Sequence, residues 1–526
     1  MNLSISTFRA SVLATLLVLS GAGMPAHSQT ATRPTLVVSP TNADIATLDP
    51  HRATAFGDKG IVSSIFDGLV RFAPGSADPK TLEADLAEKW EAAPNNKTWT
   101  FHLRKGVQFH GGYGELKAAD VVYSLQRAAD PKRSSFAANF VVMAKVEALD
   151  DYTVRVILKY PDAGFLGRVS NYHGGNIVSK AAAEKLGDRF GQSPIGTGAF
   201  AFSDHVTQQH VRLVANDAYF RGKPKLAGIT FRMISADSAR ELAFASGEVD
   251  VAAGKREQRW VERAAKRGTK VDIFEPAEFR TLFINRSIKP LDNVKVRQAI
   301  AAAVNVDEII RFVGKDVADK GCSVIPNGYV GEDCSVGQYT YDVERARALL
   351  AEAGHPNGIS LNVVVSSVAA QLPIMEVIQA QLGKAGIKLN MEVVDHATYQ
   401  AKSRQDQSAI VFYGAARFPN ADYWLTEFYD SAAAIGAPGA MSNFAHCSIA
   451  DAEIRQARVE PDATRQLALW KQAQTKIHED VCGIPLFGLK QVWTHGDGVN
   501  YGYKLTGALN LQPAITEATT VTRGAR

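Results

Sequence analysis

The sequence is short of cysteine, of net charge and of catalytic signatures, and each shortage removes a class of function. Its 526 residues include four cysteines, none of them in a Cys-x-x-Cys pair, which argues against a zinc ribbon and against a dithiol redox site. Lysine and arginine total 58 against 54 acidic residues, a formal charge of +4. Spread over a chain this long, that excess builds neither the basic groove a nucleic acid needs nor a membrane-binding surface. Beyond the N-terminal stretch, no segment nears the roughly 18 apolar residues of a membrane span.

The familiar enzyme patterns are also missing. "HEDVC", residues 478–482, opens like a zinc-protease helix but carries Cys482 where the second histidine must stand. "GQSPIG", residues 191–196, fails as a nucleophile elbow because Ile195 replaces the glycine of the tight turn. No Gly-Lys pair is followed by serine or threonine, so a phosphate loop has no support. "GTGAFAF", residues 196–202, starts like a dinucleotide fingerprint, yet the residues after it alternate as strands rather than open a helix. Its glycines are expected to serve a backbone turn. His102 and His110, in "TWTFHLRKGVQFHGG", read as structural parts of a hairpin around Lys105-Gly106, and His173, in "NYHGGN", also reads as structural. Neither a metal nor a cofactor is expected, and no nucleophile, base and orienting group can be assembled. The chain is read as a non-enzyme, with a secreted hydrolase as the remote alternative.

What is present begins with an export signal. Arg9 precedes the apolar run "ASVLATLLVLSGAG", and Ala26 and Ser28 fit the small-residue rule for cleavage. Residues 1–28 are therefore expected to be a signal peptide, and losing Arg9 with it lowers the formal charge from +4 to +3. The first cysteine is Cys322, so no lipid anchor is expected, and the expected location is the periplasm. The remaining length calls for two or three domains. In an oxidising compartment the even cysteine count suggests two disulfides. Four cysteines allow three connectivities; Cys322 and Cys334 flank a short Pro/Gly-rich loop and are paired as a local clasp, leaving Cys447 with Cys482.

Periodicity gives a mixed α/β chain. Residues 118–129 place Val121, Val122, Leu125 and Ala129 on one helical face. "LDNVKVRQAIAAAV" sets Val296, Ala299, Ile300, Ala303 and Val304 in a buried stripe behind an Asp292 or Asn293 cap. "YDVERARALLAEAGHP" is capped by Asp342 and stopped by Gly354 and Pro356; after it, residues 340–395 alternate helix and strand.

One stretch resists such patterns. "FYGAARFPNADYW", residues 412–424, holds five aromatic rings with Arg417, Asn420 and Asp422, broken by Gly414 and Pro419. It reads either as a surface loop with its rings turned inward or as a loop that grips a solute.

Seven segments in order, "ATLDPHRAT", "IFDGLVRF", "LAEKWEAAPNNKTWTFHLRKGVQFH", "AADVVYSLQRAADP", "PIGTGAF", "VRQAIAAAVNVDEII" and "YDVERARALLAEAG", resemble signatures of the large substrate-binding proteins of ABC importers, the dipeptide, oligopeptide and nickel-binding family (extracellular solute-binding protein family 5, cluster C). The resemblance implies an α/β periplasmic-binding-protein type II-like fold, with two lobes, a hinge and an extra α/β domain. By analogy, residues 29–66, 195–280 and 490–526 form the first lobe, 67–194 its additional domain and 281–489 the second lobe. Residues 278–285 and 483–488 are then the crossing segments at a hinge. It implies a monomer that delivers a solute to membrane permease subunits. Relatives commonly start the helix at 118 with a serine or threonine cap; Lys117 stands there instead, which predicts a frayed start and a loss on the order of 1 kcal/mol.

In the peptide-binding relatives an aspartate in the stretch matching 413–424 pairs with the peptide's ammonium group. Here Asn420 occupies that place, Arg417 lies nearby and Asp422 follows. Arg417 and Arg280 are candidates for a carboxylate, with lobe-bracing salt bridges as the alternative role. Tyr413, Tyr423 and Trp424 are candidates for stacking, and Phe56 for closing the pocket from the opposite lobe. The expected solute is a small peptide or a peptide-like or anionic molecule. The alternatives are an ordinary dipeptide held by Asp422, an opine-like conjugate, an oligosaccharide or a nickel chelate.

Overall fold

Two long strands, Lys270–Ile284 and Gly483–His495, run antiparallel side by side within the nine-stranded sheet. The computed structural model describes residues 33–162, 164–368, 370–437 and 442–522; the expected signal peptide lies outside them. At one end of the strand pair, Val251–Ala253 adds beside His495, and Thr35–Ser39, Gly228–Arg232, His210–Ala215 and Phe200–Val206 continue the sheet. At the other end, Ile410–Ala415 pairs with residues 279–284, and Ala318–Lys320 pairs with 487–489. The register breaks between Phe274 and Glu278. Such an irregularity bends and twists a strand pair, so the sheet changes direction there.

The first lobe's core forms where Leu36, Val38, Ile229 and Phe231 meet Ile61 and Ile65 of the helix Phe56–Ile65. A separate four-stranded antiparallel sheet, in the order 87–92, 98–103, 153–158 and 143–150, packs its Trp99, Phe101, Val154 and Val156 with Val121 and Leu125 of the helix Ala118–Ala129. The second lobe contains the parallel pair Ile359–Ser366 and Ile387–Val394, joined through the helix Leu372–Lys384. Its helix Val294–Ala303 buries Val296, Ala299, Ile300 and Ala303, and the Asn293 side chain caps it. Asp342 caps Val343–Glu352, and Gly354 follows at φ +90°, where a β-carbon is disfavoured. Both disulfides, Cys322–Cys334 and Cys447–Cys482, are formed. Among the described residues no helix is long and apolar enough to cross a membrane.

Two local expectations are corrected. The strand Thr98–Leu103 pairs with residues 87–92 and 153–158, not with residues 107–110; Phe109 N–H donates to Gly114 O, and His110 is buried with Nε2 2.9 Å from Gly198 O. The helix at 118 is anchored despite Lys117, because Asp120 accepts the N–H groups of Lys117 and Lys180 at 3.0 and 2.9 Å. That reciprocal half of a capping box replaces the missing serine or threonine.

Candidate ligand cleft

The crossing strand sets the first part of the site. Successive strand residues point to opposite faces, so Glu278 and Arg280 share one. Arg280 is opposite Gly414, and a β-carbon there would sit 2.4 Å from its Nη1; the glycine is what lets the guanidinium lie across the neighbouring strand. Arg280 Nη2 donates to Glu278 at 3.0 Å, Arg256 donates to the same carboxylate, and the buried Arg280 Nε has no partner among the described residues. Burial pushes the Glu278 carboxyl up, but the two arginine charges outweigh it and hold the group at about 2.

Arg417 approaches from the second lobe. Its Nε and Nη2 grip Glu427 at 2.6 and 2.5 Å, its Nη1 donates to Ala416 O, and its backbone is held at both ends by the Tyr329 hydroxyl. Lys59, on the helix Phe56–Ile65, faces this pair from the first lobe with its ammonium 6.0 Å from the centre of the Tyr172 ring. Burial and then the Arg417 charge lower the Lys59 pKa to about 8, against the pull of Glu278 and Glu427.

Phe418 is buried among Phe72, Tyr172 and Leu509. Arg168 binds Asp162 at 2.7 Å and reaches Asp422 at 3.7 Å, while its guanidinium covers the Tyr423 ring at 4.4 Å. A cavity of about 730 Å³ lies between the helix Gln258–Lys266 and the segments around Phe312 and Ile374, and of the charged residues above only Arg256 lines it. That volume suits a small solute.

The structure therefore distributes the expected site residues unevenly. Arg280 is buried and Arg417 half-buried, each already holding a glutamate. Phe56 is half-buried against the first lobe's core. Tyr413 is half-buried against Phe444 and Phe428, with Arg404 3.5 Å from its hydroxyl. Asn420 caps the helix Ala421–Phe428 by accepting from Asp422 N–H at 2.7 Å. Asp422 accepts from Arg458 at 3.1 Å. Trp424 is corrected outright: it is 1% exposed and its indole N–H donates to Val324 O, so it presents no face for stacking.

The cause is that residues 412–424 are not a loop. They are the end of the strand Ile410–Ala415, a short turn and the start of a helix. An asparagine cap followed by Trp424, Leu425 and Phe428 at helical spacing carried that signal. Lys59, Glu278, Glu427, Arg168 and Tyr172 were missed, because no local pattern distinguishes them.

The match to known proteins follows this geometry. Residues 81–435 fit the model of the bacterial extracellular solute-binding proteins, family 5. The chain belongs to this family. As a family 5 solute-binding protein of an ABC importer, it shares the two-lobed fold with solved relatives. It is 44% identical to MoaA of A. tumefaciens R10, solved in complex with mannopinic acid, with a TM-score of 0.88 covering 94% of this chain and 100% of that one. It is 29% identical to DppA of Helicobacter pylori, solved in complex with the peptide STSA, with a TM-score of 0.81 covering 93% and 98%. Heme-binding protein A of Haemophilus influenzae is 30% identical over 80% of this chain and 81% of its own length.

Proposed function

We propose that this chain is a periplasmic, monomeric solute-binding protein that closes its lobes on a small acidic or peptide-like molecule. It then delivers that molecule unchanged to permease subunits in the inner membrane, working without enzymatic turnover. The proposal takes residues 29–66, 195–280 and 490–526 as the first lobe, 67–194 as its additional domain and 281–489 as the second lobe.

The observation that carries the reading is the charge lining of the cleft. Lys59, Arg256, Arg280 and Arg417 face Glu278 and Glu427, an excess of cations at the place where the lobes meet. Arg280 and Arg417 are read as walls that fix the sign of the field, with Tyr413 and Phe56 as apolar flanks. A solute with a carboxylate suits that field, and a nearby amine would suit the glutamates. The mannopinic acid named for MoaA favours an opine-like acid over a plain dipeptide. A dipeptide held by Asp422 is the weaker reading, since Asp422 is engaged with Arg458 and Arg168.

A thermal-shift screen of the purified chain against mannopinic acid, agropinic acid, glutathione, Met-Leu, the peptide STSA and neutral sugars tests it. A bound solute at about a hundred times its dissociation constant adds about 2.7 kcal/mol to stability. A shift with an acid, and recovery of that acid intact, is the expected result; no shift with any member, or consumption of the molecule, sinks the reading.

A further inference from the structure

The cavity of about 730 Å³ has a charge pattern of its own, separate from the glutamate pairs of Arg280 and Arg417. One wall is the helix Gln258–Lys266 with the two residues before it, and it brings Arg256, Glu257, Arg259 and Glu262. The facing wall is the helix Val306–Val313 with the turn after it, and the charges it brings are Arg311 and Lys315. The first wall is therefore mixed in sign, whereas the second carries cations alone. Ile310, Val313, Ile374 and Leu489 line the same space with apolar surface, and Phe312 beside them is 55% exposed.

Three of these cations lack a counter-ion. Arg256 donates to Glu278, and Lys320 and Lys490 pair with Asp307 and Asp319. Arg259, Arg311 and Lys315, by contrast, have no carboxylate within 4.0 Å and no side-chain hydrogen bond among the described residues. A lone exposed cation is ordinary. Three that line one concave, partly apolar space act together, because low-dielectric walls focus their field and concentrate ions of opposite sign. Arg263, Lys266 and Arg267, further along the first wall's helix and at its end, are exposed and likewise unpaired among the described residues, and they reinforce that field. Glu262 accepts only from the neutral Gln258 side chain, at 2.9 Å, so its charge is not neutralised.

Resting on the solute-capture reading above, we propose that this cavity seats a solute with two acidic groups. One end is an amino-acid head, whose carboxylate meets Arg259 and whose ammonium meets Glu257 and Glu262. The other is a second acid held by Arg311 and Lys315, with an apolar stretch of the solute between the two. The class is an amino-acid conjugate carrying a further carboxylate; a neutral sugar, or a dipeptide with a single carboxylate, leaves the second wall unmatched. The division into lobes proposed above puts Arg259 in the first lobe and Arg311 and Lys315 in the second. Acid groups bridging them replace repulsion across the cavity by attraction, so the charges that select the solute also draw the walls together.

Calorimetry with glutathione, mannopinic acid, agropinic acid, glutarate, Met-Leu and mannose tests this. The proteins compared are wild type, Arg259→Gln, the pair Arg311→Gln/Lys315→Gln, and Lys266→Gln, which removes one charge from the same helix outside the cavity. All of these side chains are exposed, so the unliganded melting temperature should stay put. The tightest ligand should be a diacid with an amine. Arg259→Gln should weaken it about tenfold or more and the paired variant about 30-fold or more, while Lys266→Gln should stay within about threefold of wild type. The half-ester of that solute, at the acid remote from its amine, should bind wild type weakly and lose nothing further in the paired variant. Raising salt from about 0.02 to 0.2 M should lower the affinity of wild type more than that of the paired variant.

If the acid binds every variant as tightly as wild type, the cations are an ordinary solvated surface and the assignment is overturned while solute capture stands. An equal loss in Lys266→Gln would make the effect one of general field and remove Arg259 as a reader. If Met-Leu or mannose binds tightest, capture again stands and the two-acid class falls; if nothing binds, the capture reading itself fails and takes this inference with it.

Discussion

Gly167 lies directly under the ring of Phe418, where an added β-carbon would come 2.1 Å from Phe418 Cζ. The glycine belongs to the short helix Phe165–Arg168 and the ring to the second lobe, so the contact joins two parts of the chain that must separate for the cleft to open. Gly167→Ala removes the space without straining the backbone. Overpacking costs about 1–3 kcal/mol. Expressed in closure alone, that is about 5- to 150-fold in solute affinity. Calorimetry should show the loss, and small-angle scattering a larger radius of gyration; unchanged affinity would mean that Phe418 is not part of the closed state.

Asp58 sets a pH dependence of stability. Burial raises its carboxyl to about 6, although Ala46 and Thr47 N–H groups donate to it at 3.0 and 3.1 Å. Its folded value lies above its unfolded one, so the stabilisation is full below about pH 4 and is lost as pH rises through about 6. The loss is about 3 kcal/mol at most. Asp58→Asn, which keeps an acceptor oxygen, should stabilise the chain at about pH 8 and do little at pH 4 in urea unfolding. Equal effects at both pH values would show that Asp58 ionises freely in the folded protein.

Asp422 should behave as a structural clamp. It accepts from Arg458 at 3.1 Å and lies 3.7 Å from Arg168. Asp422→Asn leaves both guanidinium groups with less charge compensation and should cost about 1–3 kcal/mol of unfolding free energy. Solute affinity should change in the same proportion for acids and dipeptides. A loss confined to dipeptides would instead make Asp422 their ammonium anchor.

The two disulfides should differ in weight. Cys447 and Cys482 are both fully buried in the second lobe's core and close a sequence separation of 35, whereas Cys322 and Cys334 close 12. Chain entropy alone gives about 4 kcal/mol for the longer loop and about 3 for the shorter. Paired Cys→Ser variants compared by urea unfolding should place Cys447/Cys482 as the costlier loss. The reverse order would show that strain or unfolded-state structure dominates.

Local patterns carried much of the fold into view. The helices at 118–129, 294–303 and 343–352 were legible because their apolar residues recur at helical spacing behind recognisable caps and stops. The strand pair 200–206 and 210–215 was legible from alternation. The stretch at 412–424 reads as a loop by its Gly414, Pro419 and clustered polar residues, yet the Asn420 cap and the helical spacing of Trp424, Leu425 and Phe428 make it the end of a strand, a turn and the start of a helix.

The sequence by itself determined the export signal as an expectation, the family and the identity of most elements, since these depend on neighbours a few residues apart. Only the tertiary structure decided that Arg417 is held by Glu427, that Trp424 faces inward, and that Lys59 meets Tyr172 without a carboxylate beside it. Those outcomes depend on which distant side chains the crossing strands bring together. A charge pair or an unpaired ammonium leaves no periodic trace along the chain, because its energy comes from partners in space.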